Sequence, residues 1–273
     1  MAKTMKATIL SDNIPWGELE CEWGFSAYIE YGEQKILLDC GASGLFLKNA
    51  EKLGISPTEA DYGVLSHGHY DHSNGLDSFF AQSADSKFYI RPECGSCYQI
   101  DEGELSYAGM PKEVIERYSD RLVCVEGDYS PSEGVWLIPH KLPGMAAMGE
   151  ADEMYMMRDG KLVPDELLHE QSLVLDTDRG LVIFNSCSHG GADNIINEVA
   201  ATFPERPICA IIGGFHLYNK TEEQIRAFAG RVRDTGISYV YTGHCTGEQA
   251  AAWLKEELGD RLYTFHAGLV IEI

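Results

Sequence analysis

The hexapeptide His67-Gly68-His69-Tyr70-Asp71-His72 is the most informative stretch of this sequence. It follows Tyr62-Gly63-Val64-Leu65, a run with the composition of a short strand. A turn after a strand directs the three imidazoles and the carboxylate toward one point, and these groups are ligands for zinc or iron. Four such side chains are costly to bury unless something binds them, and the alternative is a histidine-rich surface loop. We therefore predict a metal-dependent enzyme built around this hexapeptide.

The charge of the chain limits its partners. Lys and Arg total 21 against 43 Asp and Glu, which gives a formal net charge of −22. Such a chain repels polyanions at long range, so we expect no nucleic acid and no membrane among its partners. The expected partner is a small-molecule substrate, and the composition leaves the oligomeric state open.

The cysteines indicate a reducing compartment. Eight are scattered along the chain, and several lie inside apolar runs such as Leu122-Val123-Cys124-Val125, which is not the pattern of a disulfide framework. The N-terminal residues lack the apolar stretch and the cleavage site of a signal peptide, and no run approaches the length of a membrane span. These features predict a cytoplasmic protein.

Short β-rich runs alternate with helical patterns along the whole chain. The early runs 25–31 and 35–39 predict a hairpin, and strand–helix units follow later. Further strands are predicted at 62–65, 88–90, 122–125, 135–138, 172–175, 181–184, 208–212, near 239 and at 269–273, and helices at 46–53, 76–81 and 192–203. Without a linker or a repeat, we predict one α/β domain over residues 1–273, with an irregular, pocket-lining stretch at about 92–170.

Two later helices are predicted from the spacing of their first residues. Thr221 is followed three positions later by Gln224, and Thr246 is followed in the same way by Gln249. This spacing is typical of a capping box, in which a threonine side chain and a glutamine side chain satisfy each other's backbone N–H groups. We expect both threonines to cap helices.

The hexapeptide resembles the signature of the metallo-β-lactamase superfamily, His-x-His-x-Asp-His after a strand. Other landmarks of that superfamily occur in order: Leu37-Leu38-Asp39-Cys40-Gly41 resembles its early strand ending in Asp-x-Gly, and Ser186-Cys187-Ser188-His189 and Thr242-Gly243-His244-Cys245 each end a strand with a potential ligand. The resemblance spans about residues 25–245. It implies an αββα sandwich of two mixed β-sheets flanked by helices, with metals at one edge.

A narrower resemblance is to the dihydropteroate-synthase-like branch of that superfamily, also called dihydropterin–ribofuranosylaminobenzene phosphate synthase-like. Three segments are similar to it: Asn185-Ser186-Cys187-Ser188-His189 followed by Asn194-Ile195, Gly213-Gly214-Phe215-His216-Leu217, and Gly243-His244-Cys245-Thr246-Gly247. This match is more specific than the hexapeptide alone, and it implies a group transfer in place of hydrolysis.

The resemblance implies a set of metal ligands. His67 and His69 would hold a first ion together with His189, and Asp71 and His72 would hold a second ion together with His244. One or two divalent ions are expected, with zinc preferred and iron or manganese as alternatives. Asp39 would orient a metal-binding histidine without touching metal.

The chain departs from the superfamily where an Asp usually bridges two metals. Cys187 stands near that position, either as a soft ligand that favours zinc or as a buried thiol. A second alignment makes His169 the ligand in place of His189, and Glu170 would then be a supporting partner. His216 would bind metal, orient the substrate or donate a proton, or it is a core histidine, while Gly213 and Gly214 permit close backbone approach or a positive φ.

Other conspicuous residues are expected to be structural. His140 and His266 lack the context of a ligand, and Cys94 and Cys97 have redox or zinc spacing without a second cysteine pair nearby. We predict that none of these four residues takes part in the chemistry.

The expected reaction is hydrolysis of an ester, lactone, amide or phosphoester by a metal-bound hydroxide, with Asp71 and His216 as catalytic residues. The first alternative is a pterin-type transferase, in which a dihydropterin diphosphate condenses with a ribofuranosylaminobenzene phosphate and the metals stabilise the leaving diphosphate. The second alternative is a non-enzymatic metal or redox sensor.

Overall fold

Two seven-stranded β-sheets face each other in the computed structural model, which describes residues 3–101 and 103–273. The first sheet contains, in spatial order, β18 (Val270–Glu272), β1 (Met5–Ser11), β2 (Ser26–Tyr31), β3 (Gln34–Leu38), β4 (Tyr62–Val64), β5 (Phe88–Ile90) and β8 (Leu122–Cys124). The second contains β17 (Leu262–Thr264), β16 (Tyr239–Thr242), β15 (Ile208–Ile212), β14 (Gly180–Phe184), β13 (Gln171–Thr177), β10 (Val135–Pro139) and β9 (Tyr129–Ser132).

Both sheets are mixed. In the first sheet β18, β1, β2 and β3 pair antiparallel, and β3, β4, β5 and β8 pair parallel. The second sheet likewise changes from antiparallel to parallel pairing at β14. Parallel neighbours end at the same edge of a sheet, so the residues that follow β3, β4, β14, β15 and β16 are brought to one side of the molecule.

The main core lies between the two sheets. Successive residues of a strand point alternately into this core and toward the helices on the outer face. In β14, Val182 and Phe184 pack between the sheets, while Leu181 and Ile183 point to the opposite face. Three helices cover that outer face: α6 (Ala192–Thr202), α7 (Glu222–Asp234) and α8 (Glu248–Leu258). The outer face of the first sheet is covered by α1 (Leu45–Leu53), α3 (Leu76–Gln82) and α4 (Lys112–Arg117). The predicted αββα sandwich is therefore confirmed.

The stretch predicted to be irregular contains a third sheet. Its four strands, in spatial order, are β12 (Lys161–Pro164), β11 (Met154–Arg158), β6 (Cys97–Asp101) and β7 (Glu104–Tyr107), and α5 (Met145–Ala151) precedes β11. All four residues of β7 are exposed, and two of the four in β12 are exposed. Edge strands that bury so little have no apolar alternation, which is why the sequence pattern does not reveal them.

The two predicted helix caps have different outcomes. In α7 the capping box at Thr221 is confirmed, because Thr221 Oγ1 accepts from Gln224 N and Gln224 Oε1 accepts from Thr221 N. The prediction for Thr246 is wrong, since α8 begins after Gly247 without a side-chain cap. Thr246 Oγ1 is instead 2.6 Å from Thr242 Oγ1 and accepts from Phe215 N at 2.9 Å, so it joins loops in place of capping a helix.

Among the described residues, no helix is long and apolar enough to cross a membrane.

Candidate metal centre

The predicted ligands meet at the edge where the parallel strands of both sheets end. The residues that follow strand ends there are Asp39 after β3, His67 and His69 after β4, Cys187 and His189 after β14, His216 after β15 and His244 after β16. Asp71 and His72 lie in α2 (Tyr70–Ser73), a single helical turn that begins directly after His69. All of these side chains are buried except that of His216, which is half-buried.

Three of these residues, and Ser188 between Cys187 and His189, have a left-handed backbone. The φ angles of Asp39, Ser188, His216 and His244 are 56°, 44°, 49° and 49°. This conformation is unfavourable for residues with a Cβ and usually persists where the surrounding structure imposes it, which is common at functional sites. The loops after β3, β14, β15 and β16 thus turn sharply to direct their side chains inward.

His67, His69 and His189 form the first group of converging donors. One ring nitrogen of each lies within 4.8 Å of those of the other two. His67 Nδ1 is 2.9 Å from Ser66 Oγ, which itself donates to Asp39 Oδ2, so His67 Nδ1 is the donor and its Nε2 carries the free lone pair. That Nε2 and both nitrogens of His189 have no hydrogen-bond partner among the described residues.

The first group is uncharged. Burial, followed by repulsion from neighbouring histidines, lowers the pKa of His67 well below its ordinary value. Burial likewise lowers the pKa of His69 to about 3, with His169 as the next contribution. Neutral imidazoles with unpaired nitrogens are the form in which histidine binds a metal, so this group fits a divalent cation.

Asp71, His72, Cys187 and His244 form the second group. His72 Nε2 is 3.2 Å from both His244 Nε2 and Cys187 Sγ and 3.7 Å from Asp71 Oδ2, and His244 Nε2 is 3.3 Å from Asp71 Oδ2. Two nitrogens bound to one tetrahedral zinc at its usual bond length are about 3.3 Å apart. The four donors therefore have nearly the spacing of a metal's coordination sphere.

The contacts of Nδ1 in His72 and in His244 determine which ring nitrogen of each histidine carries the free lone pair. His72 Nδ1 lies 2.8 Å from Asp39 Oδ2, and His244 Nδ1 lies 3.1 Å from Asn13 Oδ1. Both oxygens are acceptors, so each Nδ1 carries the proton and the two bare Nε2 atoms face each other. Two lone pairs at this distance repel unless a proton or a metal ion lies between them. The contact predicted for Asp39 is present.

The charges around the second group favour a cation. Burial alone would raise the pKa of Asp71, but His72 and His244 outweigh it and hold that pKa well below its ordinary value. Burial would lower the pKa of His244, but Cys245 and Asp71 raise it to about 9. A positive charge is thus stabilised at the point where these side chains meet.

The structure separates the two alignments considered for the third histidine of the first group. His169 Nδ1 accepts from Gly68 N at 3.0 Å, and His169 Nε2 lies 2.9 Å from Asp165 Oδ2. Both ring nitrogens are engaged, so His169 has no lone pair left for a metal although its ring is near His69. His189, and not His169, therefore joins His67 and His69, and His169 holds the backbone of the hexapeptide.

Glu170 and His140 support the loop that carries His189. Glu170 Oε2 accepts from His189 N at 3.1 Å, and the buried ring of His140 lies between Glu170 and Glu198 at 3.0 Å from each. Burial would lower the pKa of His140, but Glu170 and Glu198 raise it to about 10. These side chains do not face the metal centre; they position the turn from which His189 projects.

His216 lies beside the first group. Its ring centroid is 4.4 Å from that of His189, and its Nδ1 is buried without a partner among the described residues. Gly213, three residues before His216, has the positive φ predicted for it, at 156°. A Cβ at this position would collide with Asn185 O, so only glycine fits here. The backbone of β15 can therefore approach the loop after β14 closely.

Sequence reasoning missed part of the site. Asp12 accepts from the backbone N of His244 at 2.9 Å, and Asn13 orients the His244 ring. Cys245 Sγ lies 3.2 Å from Cys187 Sγ. The sequence analysis included Cys245 in a motif but predicted no role for it. The polar pair Asp12-Asn13 at the end of the first strand is the signal that identifies the first two residues.

The remaining residues predicted to be structural lie outside both groups. His266 stacks on Trp16 with ring centroids 4.4 Å apart. Cys94 Sγ donates to Arg91 O at 3.2 Å, and Cys97 Sγ faces backbone carbonyls, although Cys97 also approaches His169 and Asp165.

A cavity of about 300 Å³ opens onto the converging donor side chains. His69, Asp71, Cys187, His189 and His216 form its floor. Its walls comprise three aromatic residues, Trp23, Tyr70 and Tyr218, and three acidic residues, Asp101, Asp152 and Glu153, together with Gln99, Ile100, Met154, Asn219 and Cys245. The volume suits a small molecule.

Known proteins share this architecture. A sequence model of the metallo-β-lactamase superfamily matches residues 24–192. A Methanocaldococcus jannaschii protein named 7,8-dihydropterin-6-methyl-4-(β-D-ribofuranosyl)-aminobenzene-5′-phosphate synthase is 26% identical over 259 residues, which cover 88% of this chain and 85% of that protein. An uncharacterised protein of the same organism is 28% identical over 282 residues, covering 97% of this chain and 99% of that one. A crystal structure described as a metal-dependent hydrolase of the β-lactamase superfamily superposes with a TM-score of 0.81 at 30% identity, covering 98% and 99% of the two chains.

Proposed function

Since the chain belongs to the metallo-β-lactamase superfamily, we propose that it is a metal-dependent hydrolase of a small ester, lactone, amide or phosphoester. A divalent ion supplies this chemistry by lowering the pKa of a bound water toward about 7 and by polarising an oxygen of the substrate. The proposed centre has two positions: His67, His69 and His189 hold one ion, and Asp71, His72, His244 and Cys187 hold the other.

The observation that carries this proposal is the set of unpaired, inward-facing lone pairs. His67 Nε2 and both nitrogens of His189 are buried without partners among the described residues, and the Nε2 atoms of His72 and His244 face each other at 3.2 Å. Buried polar atoms are nearly always paired in folded proteins, so this arrangement needs a cation. The thiol of Cys187 favours zinc, with iron as the alternative.

Asp71 and His216 are the residues we place nearest to the reacting atoms. The low pKa of Asp71 makes its carboxylate a weak base, which suits it to hold positive charge more than to remove a proton. His216 presents an unpaired Nδ1 beside His189 at the floor of the cavity. This position allows either proton transfer to a leaving group or a bond to a cation.

The walls of the cavity define the class of substrate proposed. The acidic side chains of Asp101, Asp152 and Glu153 and the net charge of −22 oppose a polyanion, so we propose a small molecule and neither nucleic acid nor a membrane. A cavity that reaches the metal ligands also favours catalysis over the non-enzymatic sensor.

A second candidate function is a pterin-type transferase. It is supported by the 26% identity with the Methanocaldococcus jannaschii 7,8-dihydropterin-6-methyl-4-(β-D-ribofuranosyl)-aminobenzene-5′-phosphate synthase. The aromatic side chains of Trp23, Tyr70 and Tyr218 around the cavity also support it, because they suit flat rings. On this proposal a dihydropterin diphosphate joins a ribofuranosylaminobenzene phosphate and releases diphosphate.

One experiment separates the two functions. Protein reconstituted with zinc is assayed against nitrophenyl esters, lactones, an amide and a phosphodiester, and in parallel against the dihydropterin diphosphate with its aminobenzene partner. The double variant His67→Ala with His69→Ala should lose turnover and bound metal, whereas His266→Ala, which changes a histidine outside the centre, should keep both. Folded wild-type protein that remains metal-free after reconstitution would refute both functions.

A further inference from the structure

Two buried thiols meet beside the cavity. Cys187 follows β14 and Cys245 follows β16, and their Sγ atoms are 3.2 Å apart. Both side chains are at most 2% exposed, yet both border the cavity. The intervening strand β15 brings His216 to the same place, so three neighbouring strand ends supply two sulfurs and an imidazole.

The sulfur–sulfur distance indicates that the two thiols share a proton or a cation. It is much longer than a disulfide bond of about 2.05 Å and shorter than ordinary contact between two sulfurs. Two thiolates on one tetrahedral zinc, at a bond length of about 2.3 Å, are about 3.8 Å apart. A shift of a few tenths of an ångström in each side chain therefore converts this pair into ligands of one ion.

His216 completes the donor set. The ligand atoms of Cys187, His216 and Cys245 lie within 4.8 Å of one another, and His216 Nδ1 has no other partner among the described residues. The backbone N of His216 donates to Cys245 Sγ at 3.2 Å, a bond that stabilises a sulfur anion. A Cβ on Gly214 would come within 2.5 Å of the same sulfur, so the glycine keeps this space open.

This donor set is distinct from the two groups of the proposed centre. The second group consists of Asp71, His72, Cys187 and His244, and only Cys187 belongs to both sets. A thiolate has several lone pairs and can bridge two cations, so Cys187 can serve both positions at once.

We propose that Cys187, His216 and Cys245 form an additional site for a thiol-preferring divalent cation, zinc or ferrous iron, which is joined to the neighbouring position through Cys187. Binding replaces the two thiol protons with two metal–sulfur bonds, and the protons leave through the cavity to solvent. The inference rests on the proposed centre only for the shared Cys187. It assigns His216 to a cation and not to proton transfer.

Cobalt reports directly on metal–thiolate bonds. The wild type, Cys245→Ala and the control Cys209→Ala, a buried thiol on β15 outside the donor sets, are loaded with Co²⁺, and the near-ultraviolet sulfur-to-cobalt absorption is measured per protein. We expect Cys245→Ala to lose about two thirds of this absorption and one equivalent of bound metal, because two of the three metal–sulfur bonds disappear, one from Cys245 and one from Cys187. Cys209→Ala should match the wild type.

Unchanged absorption and unchanged metal content in Cys245→Ala would overturn the proposal. A thiol titration of the denatured wild type that finds six free thiols in place of eight would also overturn it, since the pair would then be a disulfide. If Cys245→Ala fails to fold by circular dichroism, Cys245→Ser replaces it in the same measurements.

Failure of this proposal is distinguishable from failure of the hydrolase. His67→Ala with His69→Ala removes ligands of the first group and leaves both thiols in place, so it tests the centre without changing the thiolate absorption. Loss of activity in that variant, combined with full absorption in Cys245→Ala, would retain the centre and reject the additional site.

Discussion

Asp39→Asn tests whether a single buried carboxylate prepares the second group of ligands for metal. Asp39 Oδ1 accepts from Ser66 N at 2.7 Å, and Oδ2 accepts from Ser66 Oγ at 2.7 Å and from His72 Nδ1 at 2.8 Å. Asparagine has the same shape, but one of its two positions carries an NH₂ group. If the asparagine oxygen takes the place of Oδ1, its NH₂ group takes the place of Oδ2. Ser66 Oγ and His72 Nδ1, which both donate to Oδ2 in the wild type, then face a donor.

The size of the effect follows from these contacts. Two buried hydrogen bonds to a charged acceptor are lost, at about 1–3 kcal/mol each, so we expect about 2–6 kcal/mol of destabilisation. His72 must also move its proton from Nδ1 to Nε2 to pair with the amide, which removes the lone pair that faces His244. Loss of such an orienting partner lowers metal affinity about 10- to 100-fold, or about 1.4–2.8 kcal/mol.

Asp165→Asn is the matched control. Asp165 is equally buried, its Oδ2 lies 2.9 Å from His169 Nε2, and its Oδ1 accepts from Leu167 N at 2.6 Å. This variant should lose comparable stability, but its histidine belongs to neither group of the proposed centre. Calorimetric zinc titration and thermal unfolding of both variants separate the two effects. Equal zinc affinity in Asp39→Asn and the wild type would refute the reasoning, and so would an equal loss of affinity in the control.

Removal of metal with a chelator should lower the melting temperature, because zinc at one hundred times its dissociation constant stabilises the folded state by about 2.7 kcal/mol; an unshifted calorimetric melt would contradict a loaded centre. The pKa of His140 is raised from 6.5 to about 10, so its contribution to stability is complete below pH 6.5 and is lost as the pH rises through 10. Urea unfolding across this range should show that loss in the wild type and less of it in His140→Gln, and identical profiles would exclude His140 as its source. Phe184→Ala should cost about 3–5 kcal/mol in urea unfolding because Phe184 is fully buried between the sheets, while a cost below 1 kcal/mol would mean that the core closes around the gap. Gly213→Ala should destabilise the protein, since its Cβ meets Asn185 O; a melt equal to that of the wild type would show that β15 can move away.

Local patterns were sufficient to predict one α/β domain, and the resemblance to a known superfamily supplied the sandwich of two sheets. The uninterrupted apolar run from Leu181 to Phe184 in β14 indicates a strand whose faces are both covered, and Val182 and Leu181 do pack on opposite sides of the second sheet. The hexapeptide after β4 likewise places its histidines at the end of a strand. The third sheet escaped prediction because β7 and β12 bury too little to leave a periodic signal, and Thr246 was misassigned because its partner Thr242 is set by loop packing.

The order of residues along the chain shows which residue types are available for a metal centre and that they follow strands, because these are properties of short segments. Which histidines keep a free ring nitrogen depends on contacts between distant parts of the chain. His169 is occupied by Gly68, 101 positions away along the chain, whereas His244 is oriented by Asn13, 231 positions away. A histidine binds metal only through the nitrogen that its other contacts leave bare, and those contacts exist only once distant strand ends are brought together.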